Sequence, residues 1–190
     1  MSDFTLRNAM LPDIPGLLGV INAYAAQGIM LPRTEFELAE NIRDFVVAFD
    51  ESGIIGCGAL HFYTPRSAEV RSLAVLPDRK IAGVGRKIVE WLEADGRLQH
   101  LQNIFAFTYV PGFFEKLGFA QVDRGELPLK AWKDCMRCPK FQACDEIAML
   151  KHLSPPVSTS HEPVFHPSLE PFPILNLPSS VILPTPRKGS

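Results

Sequence analysis

The most restrictive feature of the sequence is the distribution of its prolines. Nine of the 17 prolines lie between positions 154 and 190, a stretch that contains only four charged residues. Proline fixes φ and lacks an amide donor, so a segment this rich in proline can form neither a helix nor a central strand. We therefore expect one folded domain over residues 1–152 and a disordered, proline-rich tail over residues 153–190.

Composition and charge restrict the class of protein further. The chain has 190 residues, 46% of them apolar, which is enough to bury one ordinary core. A formal net charge of -2 produces no field that would concentrate nucleic acid. The N-terminus lacks the basic and then apolar pattern of a signal peptide, and no apolar run reaches the roughly 18 residues that span a bilayer. These features predict a cytoplasmic protein that binds neither nucleic acid nor membrane.

The spacing of apolar residues changes period repeatedly before the tail, which predicts alternating strands and helices. Pro12 and Asp13 mark the start of a first helix, and Thr34 can cap a second one. Asp50–Gly53 separates two apolar runs and predicts a hairpin. The predicted element order is β-α-α-β-β-β-α-β-α-β, with the last strand near residues 146–151. The predicted fold class is α/β (α+β).

The segment with the most chemical information is Leu73–Lys87, where a predicted strand leads through a glycine-spaced loop into an amphipathic helix. Gly83 and Gly85 let the backbone approach a ligand, and the free N–H groups at the helix start favour an anion. The Walker pattern is absent, and a Rossmann fingerprint would need a third glycine. The loop therefore predicts a site for a phosphate-bearing cofactor other than a nucleoside triphosphate or NAD, although a plain helix start explains two glycines equally well.

This loop resembles the acyl-coenzyme A site of the GCN5-related N-acetyltransferase (GNAT) superfamily. The motif is (Gln/Arg)-x-x-Gly-x-(Gly/Ala), and Lys80–Gly85 is this chain's copy. It departs from the motif in its first position, where Lys80 replaces Gln or Arg but keeps a donor and a charge. Phe113–Phe119 carries a second mark of the family, and the resemblance extends over residues 3–151. It implies a single GNAT-like domain with a mixed central sheet, helices on both faces, and acetyl-CoA as cosubstrate. The implied acetyl-CoA contacts are Leu73, Ala74, Val75, Lys80, Ile81, Ala82, Gly83, Val84, Gly85 and Arg86.

Four stretches are similar to the N-acetylglutamate synthase branch of that superfamily, in its short bacterial form without an amino-acid kinase domain. The branch implies transfer of an acetyl group from acetyl-CoA to L-glutamate, the first step of arginine biosynthesis. Two alternatives stay open: an acetyltransferase for glutamine or another small amine, and a non-catalytic module that binds acetyl-CoA as a sensor. The four stretches are Leu31–Thr34, Asn41–Phe45, Glu69–Pro77, and Leu127–Cys135 running on to Lys140.

The resemblance also implies catalytic roles. Glu69 would take the proton of the substrate ammonium, through water, and main-chain N–H groups of Leu73–Val75 would stabilise the oxyanion. Many family members have a tyrosine where this chain has Phe114, whose phenyl ring cannot protonate the leaving thiolate. Thr108 or Tyr109, at the end of the preceding strand, is the candidate acid, with water alone as the alternative.

An amino-acid acceptor presents a carboxylate, for which arginine is the best forked donor. The resemblance makes Arg33 the residue that binds the α-carboxylate, together with the main-chain N–H groups of Leu31 and Ser72, and Arg71 is a further candidate. The long synthases hold the side-chain carboxylate with Arg-x-Ser on the last strand, where this chain has Cys144-Asp145-Glu146. Lys140 or Lys133 is then the candidate donor, or the acceptor has a neutral end such as that of glutamine.

Cys135, Cys138 and Cys144 lie within ten residues. Their spacing is compatible with a zinc site that takes a fourth ligand from elsewhere, but reduced structural or redox-sensitive thiols are the favoured interpretation, and no metal is predicted. None of the five histidines shows paired metal spacing or receives a catalytic role. The expected partners are an amino acid and acetyl-CoA, with a homodimer left open.

Overall fold

A computed structural model describes residues 4–127, residue 140 and residues 143–153. Among these residues it shows one seven-stranded sheet in the spatial order β1-β2-β3-β4-β5-β7-β6. The strands are β1 (Thr5–Asn8), β2 (Phe45–Asp50), β3 (Gly53–Thr64), β4 (Ser67–Val75), β5 (Asn103–Thr108), β6 (Ala120–Gln121) and β7 (Ile147–His152).

The sheet is mixed, as predicted. Strands β4 and β5 pair in parallel, whereas every other recorded pair of neighbours is antiparallel. The predicted element order omitted β6 and is wrong at that point. Because β6 contains only two residues, both exposed, it has no alternation of apolar and polar side chains that a sequence could reveal.

Four α-helices connect the strands: α1 (Ile14–Ala25), α2 (Glu35–Glu40), α3 (Val84–Leu98) and α4 (Pro111–Glu115). The predicted cap of α2 is present, because Thr34 Oγ1 accepts the N–H of Glu37 at 3.2 Å while Glu37 Oε2 accepts the N–H of Thr34 at 2.9 Å. Helix α2 ends at Glu40, and a 3₁₀ turn (Ile42–Asp44) leads into β2.

The helices cover both faces of the sheet, as expected. On one face Val46, Leu60 and Val70 pack with Ile88 and Phe114, which belong to α3 and α4. On the other face Val47, Cys57 and Ala74 pack with Leu17 and Leu38, which belong to α1 and α2. The alternation of side chains along each strand therefore separates the two cores.

The last described residues belong to the core of this domain. Leu153 is 4% exposed and its N–H donates to the Gln102 carbonyl at 2.8 Å. The predicted tail lies outside the described residues beyond this point. Among the helices that the structure describes, none is both long and apolar enough to cross a membrane.

Candidate active site

The sheet opens between β4 and β5, the two parallel strands at its centre. Pairing is recorded from Ser67–Asn103 to Glu69–Phe105, whereas β4 runs on to Val75 and β5 to Thr108. Since the strands are parallel, Thr108 lies three residues beyond Phe105 and Ser72 lies three residues beyond Glu69. Thr108 and Ser72 are therefore level with each other on opposite sides of the gap, about 10 Å along the strands from the last recorded pair.

A β-bulge distorts β4 at the edge of this gap. Cys57 pairs with Ala74 and Ala59 pairs with Arg71, so the segment between them has one residue more on β4 than on β3. Ser72 has a φ of 51°, in the left-handed region that side chains rarely adopt. Cys57, which is fully buried, donates its thiol to the Ser72 carbonyl with an S···O distance of 3.6 Å. The bulge thus re-aims the main-chain groups of β4 beside the gap.

Main-chain groups of Val75 face the gap. The N–H of Leu76 donates to the Ile55 carbonyl on β3 at 2.8 Å. Successive residues of a strand present their main-chain groups to opposite sides, so those of Val75 point away from β3. Tyr24 of α1 donates its hydroxyl to the Val75 carbonyl at 2.5 Å. This bond anchors α1 to the end of β4 and leaves the N–H of Val75 on the side of the gap.

A helix start suited to an anion follows directly. The predicted loop forms a 3₁₀ turn (Pro77–Ala82), and Gly83 adopts a φ of 76° as the N-cap of α3 with no side chain capping the helix. A Cβ built on Gly83 would meet no atom within 4 Å, so the backbone is open there. The first N–H groups of this 15-residue helix, at Val84, Gly85 and Arg86, are suited to a pyrophosphate.

Positive side chains flank the same turn. The Lys80 ammonium lies 5.0 Å from the centre of the Tyr24 ring, a cation–π contact. Arg79 forms an ion pair with Asp50 at 3.2 Å, and hydrogen bonds from Ser52 hold the pKa of Asp50 below its usual value. Arg86 is exposed at the first turn of α3, so Lys80 and Arg86 remain accessible to a phosphate while Arg79 supports the turn.

The predicted base, Glu69, lies on β4, and its carboxylate accepts a hydrogen bond from a tyrosine hydroxyl. Tyr63 donates its hydroxyl to Glu69 Oε2 at 2.9 Å, and both side chains are half-buried. Glu69 also faces β3 directly, where His61 is its cross-strand partner. Tyr63 is a residue that sequence reasoning missed, because the β3–β4 register that brings it to Glu69 cannot be read from either strand alone.

Arg71, a predicted acceptor contact, belongs to a polar network on the face of α1 and α2. Its Nη2 lies 3.9 Å from Asp44 Oδ2 and 3.5 Å from Asn41 Oδ1. His61 Nδ1 lies 2.6 Å from the same Asp44 oxygen. Arg71 directly precedes the bulge on β4, and its guanidinium is held by the 3₁₀ turn before β2.

The structure places Arg33 in the loop between α1 and α2, with its main chain held by Asn22. The Arg33 N–H donates to Asn22 Oδ1 at 2.9 Å, and Asn22 Nδ2 donates to the Arg33 carbonyl at 3.0 Å. Leu31, the other predicted contact in this loop, is half-buried. The sequence analysis missed Asn22. The one indication of its role in the sequence is that a polar amide stands between Ile21 and Tyr24, which are buried on the inward side of α1.

The two candidate acids differ in environment. Thr108 is buried, and its hydroxyl accepts the N–H of Val110 at 3.0 Å. Tyr109 is 36% exposed and its hydroxyl accepts from Lys140 Nζ at 3.3 Å, while Lys140 also lies 3.3 Å from Asp145. Burial raises the pKa of Tyr109, and the Lys140 hydrogen bond opposes that change. The phenol of Tyr109 is thus protonated at neutral pH and able to donate.

Phe114 is part of the core. It is 4% exposed and packs edge-on against Phe113 and Phe119, with ring centres 5.2 and 5.1 Å away. Phe113 in turn approaches Gly85 at the start of α3, where a built Cβ would lie 3.5 Å from its ring. The aromatic cluster therefore supports the anion-binding turn, and Phe114 contributes no acid.

Part of the predicted cysteine cluster falls outside the described residues. Cys135 and Cys138 are not described, and neither is Lys133, the alternative donor. Cys144 is half-buried, with its sulfur 3.9 Å from Glu146 Oε2. Within the described residues there is no group of three or more metal-ligating side chains.

Comparisons with known proteins agree with this geometry. A model of the acetyltransferase (GNAT) domain matches residues 41–121. An uncharacterized N-acetyltransferase of Chlorobaculum tepidum is 43% identical over 152 residues, covering 80% of this chain and 98% of that protein. An amino-acid acetyltransferase of Mycobacterium tuberculosis is 33% identical over 121 residues, covering 62% of this chain and 69% of that protein.

A solved structure shows the same fold. The N-acetylglutamate synthase of Neisseria gonorrhoeae, complexed with coenzyme A and N-acetyl-glutamate, aligns with a TM-score of 0.73 and 24% identity over 82% of this chain and 36% of that one. The fold, together with the match to a GNAT domain, places the protein among the acyltransferases. The chain belongs to the GNAT family, and it is an N-acetyltransferase.

Proposed function

We propose that this enzyme transfers the acetyl group of acetyl-CoA to the α-amino group of an amino acid, with L-glutamate as the first candidate acceptor. The observation that carries the proposal is the open gap between β4 and β5, bordered by the Ser72 bulge and by the uncapped start of α3. The amino-acid acetyltransferase of Mycobacterium tuberculosis, at 33% identity, supports the acceptor class. Glutamate itself rests on the resemblance of four sequence stretches.

The residues around the gap fit acetyl-CoA. The N–H groups at the start of α3 and the cations Lys80 and Arg86 would hold the pyrophosphate, because free amides and positive charge there favour an anion. The pantetheine arm would enter where β4 and β5 no longer pair and bond to main-chain groups such as the amide of Val75. The thioester would then lie near the bulge at Ser72.

Two side chains and the main chain would carry the chemistry. The acceptor ammonium must lose a proton before its nitrogen attacks the thioester carbon, and we assign that proton to Glu69, through water. Main-chain N–H groups of Leu73–Val75 would stabilise the oxyanion. As the carbon–sulfur bond breaks, Tyr109 or Thr108 would protonate the thiolate from the opposite side of the gap.

The acceptor would bind on the face of α1 and α2. Arg33 would bind the α-carboxylate, since Asn22 holds its main chain on α1. Arg71 would add positive charge beside Ser72, although Asp44 already lies 3.9 Å from its guanidinium. Lys140 remains our candidate for binding the side-chain carboxylate of the acceptor. Its ammonium already contacts Tyr109 and Asp145, so an acceptor would have to displace Asp145.

The first experiment measures thiol release from acetyl-CoA with a panel of glutamate, glutamine, aspartate and an amine that lacks an α-carboxylate. We expect turnover with glutamate, with N-acetylglutamate identified by mass. Preference for glutamine would retain the mechanism and change the acceptor. Tight acetyl-CoA binding without turnover of any acceptor would contradict the proposal and favour a sensor.

Two variants test the assigned residues. Glu69→Gln keeps the size of the side chain and removes the base, so kcat should fall by about 10²-fold. Arg33→Ala should raise the KM of the acceptor, with the KM of acetyl-CoA unchanged, because a charge-assisted clamp contributes about 1.5–3 kcal/mol. Exposed Arg43→Ala, on the turn before β2, is the matched control for arginine removal.

Two further expectations accompany the proposal. Small-molecule metabolism of this kind places the enzyme in the cytoplasm, which fractionation of the source cells would test. The homodimer left open by the sequence would be tested by light scattering during gel filtration. Both stay predictions.

A further inference from the structure

Beside Glu69 lies an imidazole–carboxylate pair to which the proposed function assigns no role. His61 Nδ1 is 2.6 Å from Asp44 Oδ2, with 27% and 20% of the two side chains exposed. Tyr63 packs edge-on against the His61 ring, with centres 5.0 Å apart and planes at 85°. Asp44 and Tyr63 thus hold the ring from two sides, which fixes its orientation.

Asp44 also selects the tautomer of His61. A carboxylate accepts hydrogen bonds and does not donate, so neutral His61 carries its proton on Nδ1 and presents the lone pair of Nε2. Within the described part of the chain, the hydrogen bond at Nδ1 is the only one that the ring makes. Nε2 is therefore available as a proton acceptor.

The strand register places His61 beside Glu69. His61 on β3 is the direct partner of Glu69 on β4, and directly opposed side chains of an antiparallel pair lie on the same face with Cβ atoms about 4.5–5.5 Å apart. The next pair on that face is Ala59 and Arg71. Ala59 is small and leaves room beside Arg71. His61 and Arg71 both reach the carboxylate of Asp44, so these polar side chains form one continuous group.

The charged and titratable groups around His61 come from three elements. Asp44 belongs to the turn before β2, Glu69 and Arg71 to β4, and Tyr63 to β3 itself. Arg71 Nη2 lies 3.9 Å from the Asp44 oxygen that bonds His61, so one carboxylate contacts both side chains.

We propose that His61 is the second proton acceptor of this enzyme: the proton that leaves the acceptor ammonium passes through water to Glu69 and then to Nε2 of His61, with Asp44 as the positioning residue. This inference rests on the proposed function. The ammonium N–H bond breaks, an O–H bond forms and breaks on the Glu69 carboxyl, and an N–H bond forms on His61. Glu69 is again a carboxylate once the proton has moved to His61, and solvent takes the proton from Nε2 before the next turnover, which restores the neutral ring.

The test compares His61→Asn with the wild type in the acetyl-CoA assay between pH 6 and pH 9. The amide of asparagine can still donate toward Asp44, but it offers no proton acceptor in place of Nε2. We expect kcat to fall by about 10²-fold at neutral pH, the lower end of what a general base contributes, with the KM of acetyl-CoA unchanged. The loss should shrink as the pH rises, because the free-amine fraction of the acceptor grows and needs no base.

Asp44→Asn should show a smaller loss with the same pH dependence, since the ring remains but loses its charged partner. His152→Asn is the matched control, because His152 is exposed on β7, away from β3. A merely structural role of His61 would give a loss independent of pH, and that result would overturn the inference. So would activity of His61→Asn within twofold of the wild type.

A second readout does not depend on turnover. Nitrogen-15 NMR of the histidines in the unliganded protein should show neutral His61 protonated on Nδ1, and Asp44→Asn should reduce that preference. Protonation on Nε2 in the wild type would overturn the inference. If the wild type acetylates none of the acceptors, the proposed function and this inference fail together. If the wild type is active and His61→Asn is unaffected, only this inference fails.

Discussion

Asn22 and Cys57 bond main-chain atoms of the candidate site, and neither is expected to contact a substrate. Asn22 holds both polar groups of the Arg33 backbone, and the Cys57 thiol donates to the Ser72 carbonyl. Burial raises the pKa of the Cys57 thiol to about 12, so it remains an uncharged donor under all ordinary conditions. At the scale of residues, the geometry of the site thus depends on polar side chains that hold loops and bulges in place.

Asn22→Ala removes both hydrogen bonds to the Arg33 backbone. Each bond contributes about 1 kcal/mol, so we expect the KM of the amino-acid acceptor to rise by up to about 30-fold while kcat and the KM of acetyl-CoA stay the same. Steady-state kinetics with each substrate varied in turn would measure this. Gln27→Ala is the control, since Gln27 is exposed and its side-chain amide donates to the Ala23 carbonyl rather than to the Arg33 backbone. Equal effects of the two variants would contradict the role of Asn22.

Tyr109→Phe separates the two candidate acids. Because burial raises the pKa of Tyr109, the phenol keeps its proton to a higher pH than an ordinary tyrosine, and activity that depends on it should persist to that pH. At pH values where the phenol is protonated, we expect Tyr109→Phe to lower kcat by about 10²-fold. The variant should also lack the decline of activity at alkaline pH. Thr108→Ser should be nearly neutral, as it retains the hydroxyl. Full activity of Tyr109→Phe together with inactive Thr108→Val would transfer the role to Thr108.

At the scale of elements, the close approach of α3 to the sheet depends on glycines in β3. A Cβ built on Gly58 would lie 2.7 Å from Ile88 Cγ2 and 3.3 Å from Leu73 Cδ1. Both atoms belong to core side chains that have no room to withdraw. Since α3 presents the turn proposed to bind an anion and Leu73 lies in the bulge, Gly58 determines how closely these two parts of the candidate site approach each other.

Gly58→Ala should therefore destabilise the fold by about 1–3 kcal/mol, which is the usual cost of overpacking a core. Gly19→Ala is a matched control in α1, where a built Cβ meets no atom within 4 Å. That change should instead stabilise the protein by about 0.5–1 kcal/mol, because alanine is the better helix former. Urea denaturation followed by circular dichroism measures both. A stability of Gly58→Ala equal to that of the wild type would contradict this packing argument.

At the scale of the whole molecule, the folded domain is predicted to be independent of the proline-rich tail. Removing residues 154–190 should leave the melting temperature and kcat unchanged. Removing residues 152–190 should destabilise the protein by about 2–5 kcal/mol, comparable to the loss of a buried leucine. The reason is Leu153, which is 4% exposed and accepts a hydrogen bond from Arg97 through its carbonyl. Thermal unfolding of both truncations decides whether the boundary lies after this residue.

The local features of this protein follow from its sequence alone. The Thr34 capping box, the hairpin around Asp50–Gly53 and the turn at Gly83 each depend on residues close together in the chain. Their physical cause is local: a side chain reaches a nearby amide, or a glycine adopts a conformation that other residues avoid. The alternation of strands and helices was equally predictable, because the period of the apolar residues changes from one element to the next. The mixed sheet with helices on both faces was instead implied by the resemblance to the GNAT superfamily.

The tertiary structure alone decided which side chains meet across strands and helices. The pairing of His61 with Glu69, the donation of Tyr63 to Glu69 and the contact of Tyr24 with Val75 each join residues that are distant in the sequence or belong to different elements. A register shift of one residue turns every side chain to the other face, and no local signal specifies where the β4 bulge falls. The bulge at Ser72 therefore emerges from packing against Cys57, Gly58 and α3, which exist together only in the folded domain.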